Sequence, residues 1–318
     1  MDLIYTNADR VDQGVLSDYA FDLSYGADEN NFEMSIGIDE AVLDFNAFIY
    51  MEGTEYGGIV DKKKAHTEGE SIVYKGRTWH GILNSKVIQP DAGEDYLVVS
   101  GDANNVLATM VSRLGLSGMF VADEKTSGIN IAGYKFHRYC KGYDGFRAML
   151  AANGAKLKVE WKDRSVILSA VPIVDYTQSP IDGDTATLTV EQCKTKVNHL
   201  ICLGRGELSG REVIHLYADQ SGKIGDTKFY TGIEEVVDIY ENTNSEDLRN
   251  DGIKRFKELL DSDTAEISLP EDGEYTYDIG DIVGATEVQS GVTASAAVSQ
   301  KIVRIHNGAV STEYKTGS

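Results

Sequence analysis

The segment Val197-Asn-His-Leu-Ile-Cys-Leu-Gly-Arg-Gly-Glu-Leu-Ser-Gly210 comes nearest to a chemical motif in this sequence. A strand that runs into a glycine-rich turn is how dinucleotide-binding folds set a pyrophosphate on a helix N-terminus. The spacing fails here, because after Gly204 and Gly206 the third position is Ser209. The run that follows, Arg211 to Ala218, is β-branched and aromatic and too short for a crossover helix. Two antiparallel strands joined by a turn are therefore expected.

The remaining candidates are scattered. His66, His80, His137, His199, His215 and His306 never stand four apart, so no HExxH-type zinc helix is present. His137 and Cys140 both carry ligand atoms, but a separation of three on a strand turns them to opposite faces. There is no phosphate-binding Walker loop and no GxSxG elbow. Paired carboxylates can hydrolyse glycosides, yet among 51 acidic residues no spacing selects a pair. Trp79 with His80, and Trp161, can stack on sugars, but each lies in a strand pattern and reads as core. Arg205, Glu207 and Arg211 cluster at a turn. They read either as a solvated ion pair contributing under about 1 kcal/mol or as a fixed contact to another chain. No catalytic, cofactor-binding or metal-ligating residue is selected, and a non-enzyme is expected.

The elements that would position such groups are mostly strands. Phe32, Met34, Ile36 and Ile38 alternate with polar residues, a period of two. Ser71 to Ile88 is a second β-rich run, and Lys62, Lys63 and Lys64 are placed in the polar connection before it. Residues 1–92 are expected to form an antiparallel barrel or sandwich. Residues 93–178 change character into a small α+β domain. There Asp102 caps a helix carrying Val106, Leu107, Met110, Val111 and Leu114, which Gly115 ends. A second helix spans 143–152 with Phe146, Met149 and Leu150 inward. A hairpin turns at Lys162-Asp163-Arg164. Residues 179–318 return to strands, expected at 186–192, 197–203, 211–218 and 233–240. One helix near 245–260 is capped by Asn244 or Ser245, with Glu246 and Asp247 in its first turn. Asn307-Gly308, the preferred type I′ pair, joins the last two strands. The fold class expected is α+β, mainly β, with β-rich ends flanking the α+β domain.

Composition excludes several functions. The 318 residues carry a formal net charge of −21, which opposes nucleic acid and anionic membranes as partners. Residues 1–60 hold 13 acidic residues against one arginine, whereas residues 61–180 hold 13 against 16 basic ones. Either three domains present different solvated faces, or acidic segments line one surface that faces an anion. Cys140, Cys193 and Cys202 are odd in number and widely spaced, as expected of free buried thiols in a reducing compartment. Met1 to Tyr5 lacks a basic and then apolar leader, so no signal peptide is expected. No stretch reaches membrane-spanning length.

Three segments together resemble a known family. They are Tyr74-Lys-Gly-Arg-Thr-Trp-His-Gly-Ile-Leu83, the stretch from Asn198 to Asp219, and Tyr277-Asp-Ile-Gly-Asp-Ile-Val-Gly284 with the hairpin ending at Lys315. In this order they resemble the hub proteins of phage tails, contractile bacteriocins and defective prophages. The resemblance implies two β-barrel, tube-like domains per subunit, residues 1–92 and 179–318 flanking the α+β domain, and a homotrimer whose six barrels match a hexameric tail tube to a trimeric central spike. Its implied partners are the tail tube protein, the central spike protein, the tape-measure protein and other baseplate proteins. No cofactor, membrane or specific nucleic acid is implied. The expected location is a virion or bacteriocin particle, assembled in the bacterial cytoplasm. Related tail-tip polypeptides degrade peptidoglycan or bind glycans. Here the chain ends just after the hairpin, which leaves lytic activity unexpected, and glycan binding would need an exposed Trp79 or Trp161.

Overall fold

A computed structural model describes residues 2–40, 42–65, 70–178, 181–182, 187–191, 196–243, 245, 247–260, 264–268, 276–286 and 293–317. His66, Cys193, Asn244 and Glu246 fall outside them. The chain divides into two compact units, one of residues 1–188 with 266–318 and one of residues 189–265.

The first unit begins with β1 (Leu3–Thr6), β2 (Asp12–Leu16), β3 (Tyr19–Gly26) and β4 (Asn31–Gly37). β5 (Phe48–Tyr50), β6 (Gly57–Ala65) and β7 (Ser71–Thr78) follow. Phe32, Met34 and Ile36 turn inward on β4 as the alternation requires, while Ile38, beyond the strand, is half exposed. They meet Phe21 and Leu23 of β3, with Phe21 set edge-on to Phe32 at 5.4 Å. Lys62, Lys63 and Lys64 lie on β6 rather than in a connection. The aliphatic stem lets a lysine lie along a sheet, and Lys63 Nζ sits over the Phe45 ring at 4.9 Å. Gly76 is required on β7, because a Cβ there would lie 1.8 Å from the Ile59 carbonyl oxygen.

The β-rich reading of 71–88 breaks at Thr78. There α1 (Trp79–Asn84) begins, its Gly81 N–H donating to Thr78 Oγ1 at 3.3 Å. Trp79, Ile82 and Leu83 then share one buried helical stripe. β8 (Val87–Ile88), β9 (Val98–Asp102) and α2 (Ala103–Arg113) come next. Asp102 Oδ1 accepts from the Asn104 N–H at 3.0 Å, and Gly115, with φ of 69°, ends α2. β10 (Phe120–Ala122), β11 (Asn130–Lys135), β12 (Cys140–Lys141) and α3 (Gly142–Ala151) lead to the hairpin β13 (Ala155–Lys162) and β14 (Ser165–Pro172). Asp163 and Arg164 take φ of 50° and 63° in its turn, as a two-residue primed turn demands. Phe146, Met149 and Leu150 of α3 and the α2 stripe pack into one core with Trp79 and Trp161.

The chain returns through β15 (Ile181–Asp182) and β16 (Thr187–Glu191) to the second unit. That unit holds β17 (His199–Leu203), β18 (Val213–Ala218), β19 (Ile224–Gly225), β20 (Val237–Glu241) and α4 (Leu248–Leu260). Its four strands run in the order β19-β18-β17-β20. β17 pairs antiparallel with β18, as expected of the failed dinucleotide motif, and parallel with β20. Leu248 and Phe256 of α4 pack on Leu200, Cys202, Leu216 and Ala218. Gly252 permits the close approach, since a Cβ there would lie 2.4 Å from Cys202 Sγ.

β21 (Thr264–Ser268), β22 (Ile282–Thr286), β23 (Thr293–His306) and β24 (Ala309–Thr316) complete the chain. Among the described residues no closed barrel is found, and eleven strands join in one sheet. Its order is β15-β22-β23-β3-β4-β7-β6-β5-β1-β2, with β24 beside β23. The cause is β23, which pairs along one edge with β3 and so carries the late strands into the early sheet. The Asn307-Gly308 turn forms as expected, with φ of 48° and 87°. The Asn307 side chain also accepts from the Tyr19 N–H at 2.8 Å, which pins the hairpin tip to β3.

Candidate functional site

The residues singled out by sequence are placed without forming an active site. Cys140 N–H approaches the His137 carbonyl at 3.4 Å in a tight turn rather than a strand. No group of three or more metal-ligating side chains occurs among the described residues. Trp79 is fully buried and Trp161 is 3% exposed, stacked at 4.9 Å. Neither can face a sugar, so the glycan-stacking reading is withdrawn. Arg205 and Glu207 are exposed, while Arg211 pairs instead with Glu241 of β20 and donates from Nε to the Gly204 carbonyl at 3.2 Å. Burial pushes the Cys140 and Cys202 thiols up, which keeps them protonated and unreactive.

Sequence reasoning missed a buried ionic network in the first unit. Lys301 of β23 donates to Glu55 at 2.6 Å, and Glu55 also lies 3.6 Å from His80 Nε2. Lys301 is 3% exposed and His80 is 2% exposed. Burial pulls the Lys301 ammonium down, but the Glu55 carboxylate with Tyr56 and Tyr314 outweighs it and holds the group above the usual lysine range. Burial drives His80 down to about 4, against a smaller opposing pull from Glu55. A second node joins Lys156 of β13 to Asp281 at 2.7 Å and Asp278 at 2.9 Å. Asp281 also accepts from the Val174 and Asp278 N–H groups, both at 2.9 Å, so its buried charge is saturated. Burial lowers Lys156, and its bonds to Asp281 and Asp278 more than restore it. The available signal was Lys301, in phase with Val303 and Ile305 at an inward position of its strand; Lys156 gave none, since it alternates with Lys158, Glu160 and Lys162 on the polar side of β13.

In the second unit the sheet has an outward face opposite α4. The register places Tyr217, His199 and Val237 in one row, His215, Ile201 and Ile239 in the next, and Val213, Leu203 and Glu241 in the third. Val213, Val237 and Ile239 are 46%, 46% and 61% exposed. His199 Nδ1 meets Glu235 at 2.7 Å, and its Nε2 meets His215 Nδ1 at 2.8 Å. Ring centroids 5.1 Å apart make the two nitrogens nearly collinear, the geometry of an N–H···N bond rather than of two lone pairs converging on a metal. Lys228 beside Glu235, and then His199, hold that carboxyl below its usual range. Leu208, at the turn beside this sheet, is 94% exposed and held at φ of 51°.

These geometries can be set against known proteins. No protein-family model matches the sequence, and no curated protein matches it. Solved structures do match. A prophage tail protein from Listeria monocytogenes superposes with a TM-score of 0.59 at 12% identity, over 100% of this chain and 94% of that one. The 43 kDa tail protein of prophage MuSo2 from Shewanella oneidensis gives 0.57 at 10% identity, over 99% and 98%. A component of the phage P2 baseplate in its activated conformation gives 0.53 at 9%, also over 99% and 98%. This chain has the fold of the phage tail proteins.

Within the tail-protein fold, the three segments that carried the sequence resemblance are structural. Tyr74 to Leu83 is the passage from β7 into α1, which delivers Trp79 and His80 to the core. Asn198 to Asp219 is the β17–β18 pair that builds the outward face. Tyr277 to Gly284 supplies Asp278 and Asp281 to the Lys156 node.

Proposed function

We propose that this chain is a structural hub of a phage-like tail or baseplate, joining a hexameric tail tube to a trimeric central spike as a homotrimer. The observation that carries the reading is the tail-protein fold matched from one end of the chain to the other, at 99% to 100% coverage. Its action is mechanical: it presents surfaces at fixed angles and performs no chemistry. Closed rotational symmetry suits such a joint, since a ring needs no terminal subunit. The outward face of β17, β18 and β20 supports the reading, because uncharged side chains stand exposed there in a chain of net charge −21. Further partners under this reading are the tape-measure protein and other baseplate proteins, and the working location is the particle tail.

The test is native mass, measured for the purified protein alone and mixed with the spike protein encoded beside it. A threefold mass in either sample is expected. A monomer that stays monomeric in both overturns the hub.

A further inference from the structure

The Lys156 node has the parts of a reaction as well as those of an ion pair. Lys156 Nζ lies 2.8 Å and 2.7 Å from the two carboxylate oxygens of Asp281. The carbon between them therefore falls within the roughly 3–3.5 Å from which a nucleophile attacks. Lys156 and Asp281 are 7% and 1% exposed, so bulk water scarcely competes for either. Each oxygen of Asp281 also accepts a backbone N–H at 2.9 Å, Oδ1 from Val174 and Oδ2 from Asp278. Two fixed donors of this kind stabilise the oxyanion that forms when an acyl carbon becomes tetrahedral. A second carboxylate, that of Asp278, stands 2.9 Å from the same Nζ, within reach of proton transfer. Its side chain is half exposed, which gives an expelled water a way out.

We propose that Lys156 and Asp281 become joined by an isopeptide bond, which the chain forms on itself. The resting pair is ammonium and carboxylate, with the ammonium held above the usual lysine range. The free amine arises when one proton passes from Nζ to an Asp281 oxygen, a transfer that removes two buried charges at once. Nζ then attacks Cγ, and the carbonyl electron pair moves onto the oxygen held by a backbone N–H. Asp278 takes a proton from the attacking nitrogen and returns it to the departing hydroxyl. The C–O bond breaks, water leaves, and a neutral amide and the Asp278 carboxylate remain. Nothing is oxidised or reduced, and no co-reactant is needed. The held geometry replaces the high concentration that amide formation otherwise requires. The link closes a loop that contains the whole second unit, residues 189–265. A pull on the two chain ends then passes through the link and bypasses that unit. The reaction occurs once per chain, acts on no other molecule and does not rest on the hub reading.

Intact mass spectrometry of the denatured full chain reads the link. The expected mass is one water below that of the sequence. An aspartyl succinimide loses the same water, so a tryptic digest decides between them. Trypsin should spare Lys156, and one branched peptide should hold Lys156 and Asp281 together. Lys156→Arg keeps the positive charge but should leave the chain at the full mass of its sequence. Asp278→Asn should slow linking by about 10²–10⁴-fold, and linking at the wild-type rate overturns the role of Asp278. A wild-type chain still at its sequence mass a day after purification, or cut normally at Lys156, overturns the inference. Native mass is moved by neither result, so the hub reading stands or falls separately.

Discussion

Acid should loosen the first unit through His80. The folded state holds this imidazole at about 4, against about 6.5 in an unfolded chain. Between these values the unfolded chain binds the proton and the folded chain does not, so stability falls as pH falls. The contribution is complete above pH 6.5 and drains away toward pH 4, at about 1.4 kcal/mol per pH unit. From pH 7 to pH 5 the loss is about 2 kcal/mol, and by pH 4 about 3 kcal/mol. The chain has two tryptophans, both in the core beside His80, so their fluorescence reports the unfolding of this unit. Urea titrations at pH 7 and pH 5 should differ by about 1 M in midpoint for a slope near 2 kcal/mol per molar. Other groups titrate over the same range, so the decisive quantity is the comparison with His80→Asn, which cannot take up the proton. The variant should be the less pH-sensitive by about 2 kcal/mol over that interval. Equal losses in both proteins would refute the reasoning, as would a His80 ring titrating near 6.5 by NMR.

Lys301→Ala strips Glu55 of its buried counter-charge and should cost about 3–5 kcal/mol in the same fluorescence assay, while Lys301→Met combined with Glu55→Gln should recover much of the loss. Gly252→Ala places a methyl group against Cys202 and should destabilise the second unit by about 1–3 kcal/mol, read as faster modification of the Cys202 thiol. Ile239→Asp charges the outward sheet face and should lower the assembled mass at least tenfold in association constant, with the urea midpoint of the monomer unchanged within about 0.5 kcal/mol.

Local chemistry was legible in the sequence wherever neighbours in the chain decide the outcome. Asp102 before an apolar stripe, Gly115 after it, Asp163-Arg164 and Asn307-Gly308 each specify their turn or cap through contacts a few residues away. Alternation also gave the buried side of β4 correctly. It misled at Trp79, where the Thr78 hydroxyl converts an apparent strand into a helix. Alternation cannot say which strands become neighbours. The joining of the late strands to the early sheet was illegible for that reason, since the pairing of β23 with β3 is a tertiary choice. The network of Glu55, His80 and Lys301 was hidden likewise, because its members come from a turn, a helix and a late strand. The His199–His215 pair needs the β17–β18 register before it can be seen at all.

The attachment of β23 to β3 also constrains how the molecule is born. Tyr19 and Asn307 are bonded across 288 residues of sequence, and closing a loop of that length costs about 5 kcal/mol in chain entropy before any contact offsets it. During synthesis the edge of β3 must wait, uncovered, until β23 leaves the ribosome. The second unit, inserted between the two halves of the first, has all its strands and its helix in hand earlier. Folding therefore includes a strand arriving late at an open edge, the step at which an intruding strand from a neighbour would do most harm.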